Sequence, residues 1–188
     1  LEAEKMFRRA VEINPENEDC YSALGGLYQL LGNYLEAEKM FKKALEINPE
    51  NFGGCISLGN LYDAVGKFKE AQGYFIKALK LNPKYTEAYI TLGNCYTNEG
   101  DYLRAEEMFK KSLGLNPNSI EAHKSLAGLY NQQGDYPKAE EMFKKLLGLN
   151  PNSAETRIYL GELYGKQGNY LEAEKMFRRA VEINPENE

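Results

Sequence analysis

The stretch FGGCISLGNLYDAVGKFKEAQGYFIKALKLNPKY, residues 52–85, carries two separate helical periods. Leu58, Leu61, Tyr62 and Val65 recur at spacings of three and four, and Ala71, Tyr74, Phe75, Ala78 and Leu79 do so again. Each set therefore lies on one face of an α-helix. Gly66 stands where the first helix must stop, supplying the left-handed backbone that helix ends commonly take, and Pro83 stops the second. The segment reads as a helix, a short turn and a helix.

The same unit recurs along the whole chain. Asn-Pro pairs begin at Asn14, Asn48, Asn82, Asn116, Asn150 and Asn184, each 34 residues after the last. Stacked at that period, Leu24, Leu58, Leu92, Leu126 and Leu160 form one column, and Tyr28, Tyr62, Tyr96, Tyr130 and Tyr164 another. Gly32, Gly66, Gly100, Gly134 and Gly168 hold the turn column, while Phe41, Phe75, Phe109, Phe143 and Phe177 hold a column of the second helix. Small residues at Gly25, Gly59, Gly93, Ala127 and Gly161 let the two helices approach closely. A helix pair cannot bury such a stripe alone, so neighbouring pairs must cover it, which makes the chain an all-α solenoid rather than a domain with one central core.

On Leu58-Gly59 and Tyr62 in the first helix, Gly66 before the turn, and Ala71, Phe75, Ala78 and Pro83 after it, the unit resembles the tetratricopeptide repeat. That phase gives a single array over 1–188: a lone second helix at 1–17, then repeats at 18–51, 52–85, 86–119, 120–153 and 154–187. The resemblance implies a right-handed superhelix whose first helices line a concave groove, where family members hold extended peptides. The family's early aromatic is met by Tyr21 and Tyr89 but replaced by Cys55, His123 and Arg157, a slot read here as packing.

Composition agrees with a well-solvated protein: 43% of residues are hydrophobic, 12% aromatic and 27% charged. No run approaches the roughly 20 apolar residues that cross a bilayer, so no membrane is expected and the cytoplasm is the expected address. A net charge of −5 argues against nucleic acid, whose phosphates need a basic stripe. The Lys pairs do not supply one, because Glu106 faces Lys110, Glu107 faces Lys111 and Glu141 faces Lys145 one turn apart.

Enzyme chemistry finds no foothold in the pattern. Cys20, Cys55 and Cys95 lie in three different repeats and the single His123 in a fourth, so no metal site and no cofactor are expected, and the cysteines read as small packing residues. Carboxylates recur with the period, whereas a catalytic pair needs one place that drives two pKa values apart. Gly53-Gly54 precedes a helix without the Lys-Ser or Lys-Thr of a phosphate cradle. The expected function is a non-catalytic scaffold for a protein or peptide ligand.

Candidate binding residues are those the packing stripe leaves over. Ile56, Asn60, Asp63 and Ala64 share one face of the first helix, with counterparts Ile90, Asn94, Thr97 and Asn98, then Lys124, Gly128, Asn131 and Gln132, then Ile158, Glu162, Gly165 and Lys166. Given the groove that the resemblance implies, Asn60 and Asn94 offer amides to a peptide backbone, Ile56 and Ile90 offer apolar contact, and Asp63, Thr97, Asn98, Lys124, Asn131 and Lys166 complete the site. The clamp that binds chaperone C-termini needs cations that neither register supplies: Ser22, Gly26, Ser57, Asn94 and Asn98, or Ile56, Asn60, Thr91, Gly128 and Gln132.

The eighteen letters LEAEKMFRRAVEINPENE occupy both 1–18 and 171–188, whereas residues 35–52 differ from them at four places. Identity of that length points to recent duplication of a 170-residue block or to an engineered extension. Ala3, Phe7, Ala10 and Val11 at one end, and Phe177, Ala180 and Val181 at the other, present the apolar face that internal repeats bury, so head-to-tail self-association is the alternative expectation.

Overall fold

In the computed structural model, which describes residues 2–184, the Asn-Pro pairs at Asn14, Asn48, Asn82, Asn116 and Asn150 each act as a helix stop by two hydrogen bonds. The backbone N–H of Asn48 donates to the Ala44 carbonyl at 2.9 Å, closing the helix. Its side-chain oxygen then accepts from the Glu50 N–H at 3.1 Å, and Asn14, Asn82, Asn116 and Asn150 make the same bond at 3.2–3.3 Å. This side-chain turn, followed by a proline that cannot continue a helix, ends the second helix of the unit. The next helix starts at once, for Asn51 and Ser119 cap it by accepting from Gly54 N–H at 2.7 Å and Ala122 N–H at 3.2 Å.

Eleven helices result among the described residues: α1 (Glu2–Ile13), α2 (Glu18–Leu30), α3 (Tyr34–Ile47), α4 (Phe52–Ala64), α5 (Phe68–Leu81), α6 (Thr86–Asn98), α7 (Tyr102–Leu115), α8 (Ile120–Gln132), α9 (Tyr136–Leu149), α10 (Ala154–Lys166) and α11 (Tyr170–Ile183). Each expected repeat holds two of them. Gly66 takes φ +76°, so that Lys67 N–H reaches back to the Tyr62 carbonyl at 2.8 Å across the end of α4. Val65, expected in the buried stripe, is the cap residue of that turn and is 39% exposed, because the chain has already left the helix there.

The helices gather into two compact units, residues 1–99 with α1–α6 and residues 100–188 with α7–α11. In the first unit both hairpins, α2–α3 and α4–α5, close on glycine. A Cβ added to Gly59 of α4 would lie 2.7 Å from the Phe75 ring of α5, and one on Gly25 of α2 would lie 2.7 Å from Phe41 of α3. Phe41 and Phe75 are 2% and 0% exposed, filling the space the missing Cβ leaves. Successive hairpins then seal each other, as where Leu45 of α3, Cys55 of α4 and Ala78 of α5 form one cluster with Phe52, Ile56 and Tyr74 against it.

The tyrosine column has a polar task beyond packing. Tyr62 donates its hydroxyl to Glu38 at 2.7 Å, Tyr130 to Glu106 at 2.8 Å and Tyr164 to Glu140 at 2.9 Å, each joining residues 24 positions apart. Every acceptor also holds the lysine one turn on: Lys42 at 2.6 Å, Lys110 at 2.6 Å and Lys144 at 2.7 Å. The ammonium first, and the tyrosine with it, keep these carboxyls below the usual carboxylate range against the opposing effect of partial burial. A lowered folded-state pKa gives stability that is present above the ordinary value of 4.5 and disappears as pH falls through the lowered one. Glu106→Gln combined with Glu140→Gln is therefore expected to flatten the loss of stability between neutral pH and pH of about 3. Urea midpoints measured across that range, falling as steeply in the variant as in the parent, would remove the ladder from the account of acid stability. On the alkaline side burial first, and the hydrogen bond to Glu140 next, push the Tyr164 phenol up to about 12, so its contribution holds up to the ordinary value of 10.0 and is lost as pH rises from there to about 12.

Candidate functional site

The first helices of the first unit carry part of the expected face. Asn60 is exposed and Asn94 half-buried, on α4 and α6. Asp63 accepts a hydrogen bond from the Cys95 thiol at 3.2 Å, which ties α4 to α6. Burial, and then the neighbouring Asp63 carboxylate, push the Cys95 thiol up, so it stays protonated and acts as a donor, not a nucleophile. Cys55 is likewise fully buried, whereas Cys20 is half-exposed. Thr97 spends its hydroxyl on the Gly93 carbonyl at 3.0 Å, and Asn98 is exposed.

Two of the expected apolar contacts belong to the core. Ile90 is 6% exposed, and Ile56 packs against the Leu45, Cys55 and Ala78 cluster. A first helix is covered by its hairpin partner on one side and by the preceding second helix on the other. Its buried arc is thus wider than the single stripe of a helix packed on one side.

In the second unit the structure brings Lys124, Asn131 and Lys166 onto one surface. A pocket of about 280 Å³ is lined by Lys124, Gly128, Asn131, Phe143, Tyr159 and Glu162. It exists because position 128 is glycine where Asn60 and Asn94 stand in other repeats; a Cβ there would meet nothing within 4 Å. Its floor is Tyr159 stacked on Phe143, centroids 5.8 Å apart and planes at 23°. Lys124 Nζ lies 5.5 Å from the Tyr159 ring centre and donates to Glu155 at 2.6 Å, and Tyr159 donates its hydroxyl to the same carboxylate at 3.0 Å. The Glu155 contact comes first among the effects that raise the Lys124 pKa, so the ammonium stays charged beside the pocket. Lys166 donates to the Asn131 side-chain oxygen at 3.2 Å, leaving that amide's N–H groups for a ligand.

Tyr159, Phe143 and Glu155 were not among the sequence candidates. Tyr159 had a legible signal: its column holds Ala23, Ser57, Thr91 and Ser125, so it is the one large residue in a row of small ones.

A larger cavity of about 550 Å³ lies at the link between hairpins, lined by Leu113, Pro117, Asn118, His123, Lys145, Gly148 and Leu149. His123 donates there from its Nε2 to the Pro117 carbonyl at 3.0 Å, while its buried Nδ1 has no hydrogen-bond partner among the described residues. Tyr89 donates likewise to Pro83 at 3.2 Å, and Arg157 to Pro151. The slot of the early aromatic, read from sequence as packing, is in these three repeats a hydrogen-bond donor to the proline carbonyl six residues back. Tyr, His and Arg share that capacity, which explains why they interchange. Lys145 is paired with Glu141 at 2.7 Å.

Among the described residues no group of three His, Cys, Asp or Glu side chains is placed to hold a metal ion, and no helix is long and apolar enough to cross a membrane.

Comparison with known proteins agrees with the hairpin geometry. Tetratricopeptide repeat family models match residues 18–51 and, in overlapping segments, 64–129, 97–153 and 130–188. The crystal structure of PilW, a widely conserved type IV pilus biogenesis factor, is similar with a TM-score of 0.85 and 26% identity, covering 97% of this chain and 84% of that one. A tetratricopeptide repeat protein from Parabacteroides merdae ATCC 43184 gives 0.84 at 25% identity, over 96% of this chain and 72% of the other. The MamA protein gives 0.78 at 25%, over 89% and 92%. No curated protein sequence matches the chain significantly.

Proposed function

Because the chain belongs to the tetratricopeptide repeat family, we propose that it is a non-catalytic protein-interaction scaffold that takes an extended peptide or partner helix on its first-helix face. The observation that carries this reading is the pocket at Gly128, where stacked aromatic rings, a charged lysine and an amide with free N–H groups converge in about 280 Å³. An aliphatic or aromatic ligand side chain fits the Tyr159–Phe143 floor. A carboxylate next to it in the peptide competes with Glu155 for Lys124, and the Asn131 N–H groups reach the peptide backbone. Asn60 and Asn94 are a separate candidate surface within the first unit.

Peptides selected from a displayed random library on the 188-residue chain provide the test. Tyr159→Ala is expected to weaken a selected peptide about tenfold, which is about 1.4 kcal/mol. Asn60→Ala with Asn94→Ala removes on the order of 1 kcal/mol for each lost backbone hydrogen bond. Calorimetric affinities unchanged in both variants, with helicity intact, would move the ligand to another face.

A further inference from the structure

The cavity of about 550 Å³ at the link between α7 and α8 is not part of the first-helix face. On α8 the residues Lys124, Gly128 and Asn131 share one face, whereas His123 lies with the buried Ala127 and Tyr130 on the packed one. Two letters open the cavity. Leu113, His123 and Leu146 stand where Leu45, Cys55 and Ala78 form a cluster in the first unit, so a leucine buried at 3% takes the place of an alanine and needs more room between the helices. Gly148 stands where Glu46, Lys80 and Glu182 stand in other repeats, and a Cβ there would meet nothing within 4 Å, so position 148 contributes nothing to fill the gap beside Leu149.

His123 forms one wall of the cavity and is 7% exposed. A carbonyl oxygen only accepts, so the Nε2 that meets the Pro117 carbonyl at 3.0 Å carries a proton. In the neutral ring Nδ1 is then an acceptor, and it is buried with no donor among the described residues. A buried lone pair left unpaired costs free energy, so a group that brings it an N–H is favoured. The other walls are mostly apolar, from Leu113, Pro117 and Leu149, and the cation beside them, Lys145, is already paired with Glu141 at 2.7 Å.

We propose that this cavity takes the indole ring of a tryptophan from a partner protein, with the indole N–H donating to His123 Nδ1. An indole N–H is a donor only, which is what an acceptor-only lone pair needs. A phenol would also bring an acceptor, and the one cation of the cavity is already engaged. The body of the ring lies against Leu113 and Leu149, where its apolar area is buried while its polar edge is satisfied. About 550 Å³ falls within the roughly 300–1,000 Å³ of ligand pockets, and the mouth is open at the exposed Pro117, Asn118 and Gly148, which leaves the partner's backbone outside. Nδ1 is itself covered, so the indole enters with a small shift of the imidazole. The ring comes from another molecule, because this chain has no tryptophan.

The probe is N-acetyl-tryptophanamide, titrated into the full 188-residue chain. With no tryptophan in the protein the probe gives the only indole emission, and with a single histidine the imidazole nitrogens are read directly by nitrogen NMR. The emission is expected to shift to the blue and saturate, and the Nδ1 resonance to move with the same concentration dependence. The analogue methylated on the indole nitrogen keeps the ring and lacks the donor, and is expected to bind at least about tenfold more weakly. Gly148→Glu installs the residue of Glu46 and Glu182 at an exposed helix position, so helicity is expected to hold while affinity for the probe falls at least about tenfold. A capped Gly-Trp-Gly peptide is expected to bind at least as tightly as free indole. Equal affinity for the methylated analogue overturns the bond to His123 Nδ1, and undiminished binding to Gly148→Glu overturns the cavity. Free indole bound with the peptide excluded overturns a partner side chain as the occupant, and no saturable binding overturns the proposal as a whole. The first-helix pocket is tested separately by Tyr159→Ala, so the two readings fail independently.

Discussion

Phe75→Ala is expected to destabilise the first unit by about 3–5 kcal/mol, the range for deleting a fully buried aromatic side chain. The ring is 0% exposed and sits over Gly59, whose missing Cβ is the space that the ring occupies. Truncation therefore leaves a cavity between α4 and α5 that can close only if the helices move together, and the neighbouring hairpins hold them apart. In a stacked array each hairpin also contributes to the interfaces on either side of it, so the loss extends to the packing of α3 and α6. Urea unfolding followed by circular dichroism, with the parent as reference, gives the value. A loss below about 1 kcal/mol would show that the ring packs loosely and that the glycine column is not there to admit it.

Gly59→Ala should cost about 1–3 kcal/mol for the complementary reason, since the added methyl would lie 2.7 Å from the Phe75 ring and must displace it. Helix propensity works in the opposite direction, because alanine in a helix interior is favoured over glycine by about 1 kcal/mol. Overpacking is expected to win in the parent. In the Phe75→Ala background the clash is gone and only the propensity remains, so Gly59→Ala is expected to turn stabilising. A double-mutant cycle reads this as a non-zero coupling, the double variant being more stable than the sum of the two single losses predicts. Additive effects would mean that the glycine answers to something other than the ring, for instance backbone flexibility.

Much of the fold was legible because its determinants are local and repeat. The helix stops at Asn48 and Asn82 are side-chain turns within three residues, and the Gly66 turn needs only a residue tolerant of φ +76°. Local hydrogen-bond chemistry of that sort is written in letters a few positions apart. Helix pairing followed from the Gly59 and Phe75 columns, since a glycine opposite a large aromatic at a fixed period implies close approach. The pairs Glu106–Lys110, Glu107–Lys111 and Glu141–Lys145, expected from one-turn spacing, form at 2.6–2.7 Å.

The candidate site was legible only in part. Lys124, Asn131 and Lys166 do share one surface, but the pocket between them depends on Tyr159 reaching across to Phe143 of another hairpin. Ile90 matched the spacing of a surface residue yet is buried, because the helix period describes one helix and says nothing of the second neighbour that covers its flank. His123 and Arg157 looked like departures from an aromatic slot until the Pro117 and Pro151 carbonyls showed what they share with Tyr89.

What the sequence determined by itself was the repeating unit: its length, its two helices, its stops and the glycine and aromatic columns that close a hairpin, all set by interactions spanning at most one hairpin. Only the tertiary structure decided which polar residues were already spent, as Asp63 on Cys95 and Thr97 on Gly93, and where an open volume remained beside Gly128. A pocket is the space left when side chains from separate repeats have taken their places. It appears only when residues such as Lys124, Phe143 and Tyr159, distant in the chain, are set against one another.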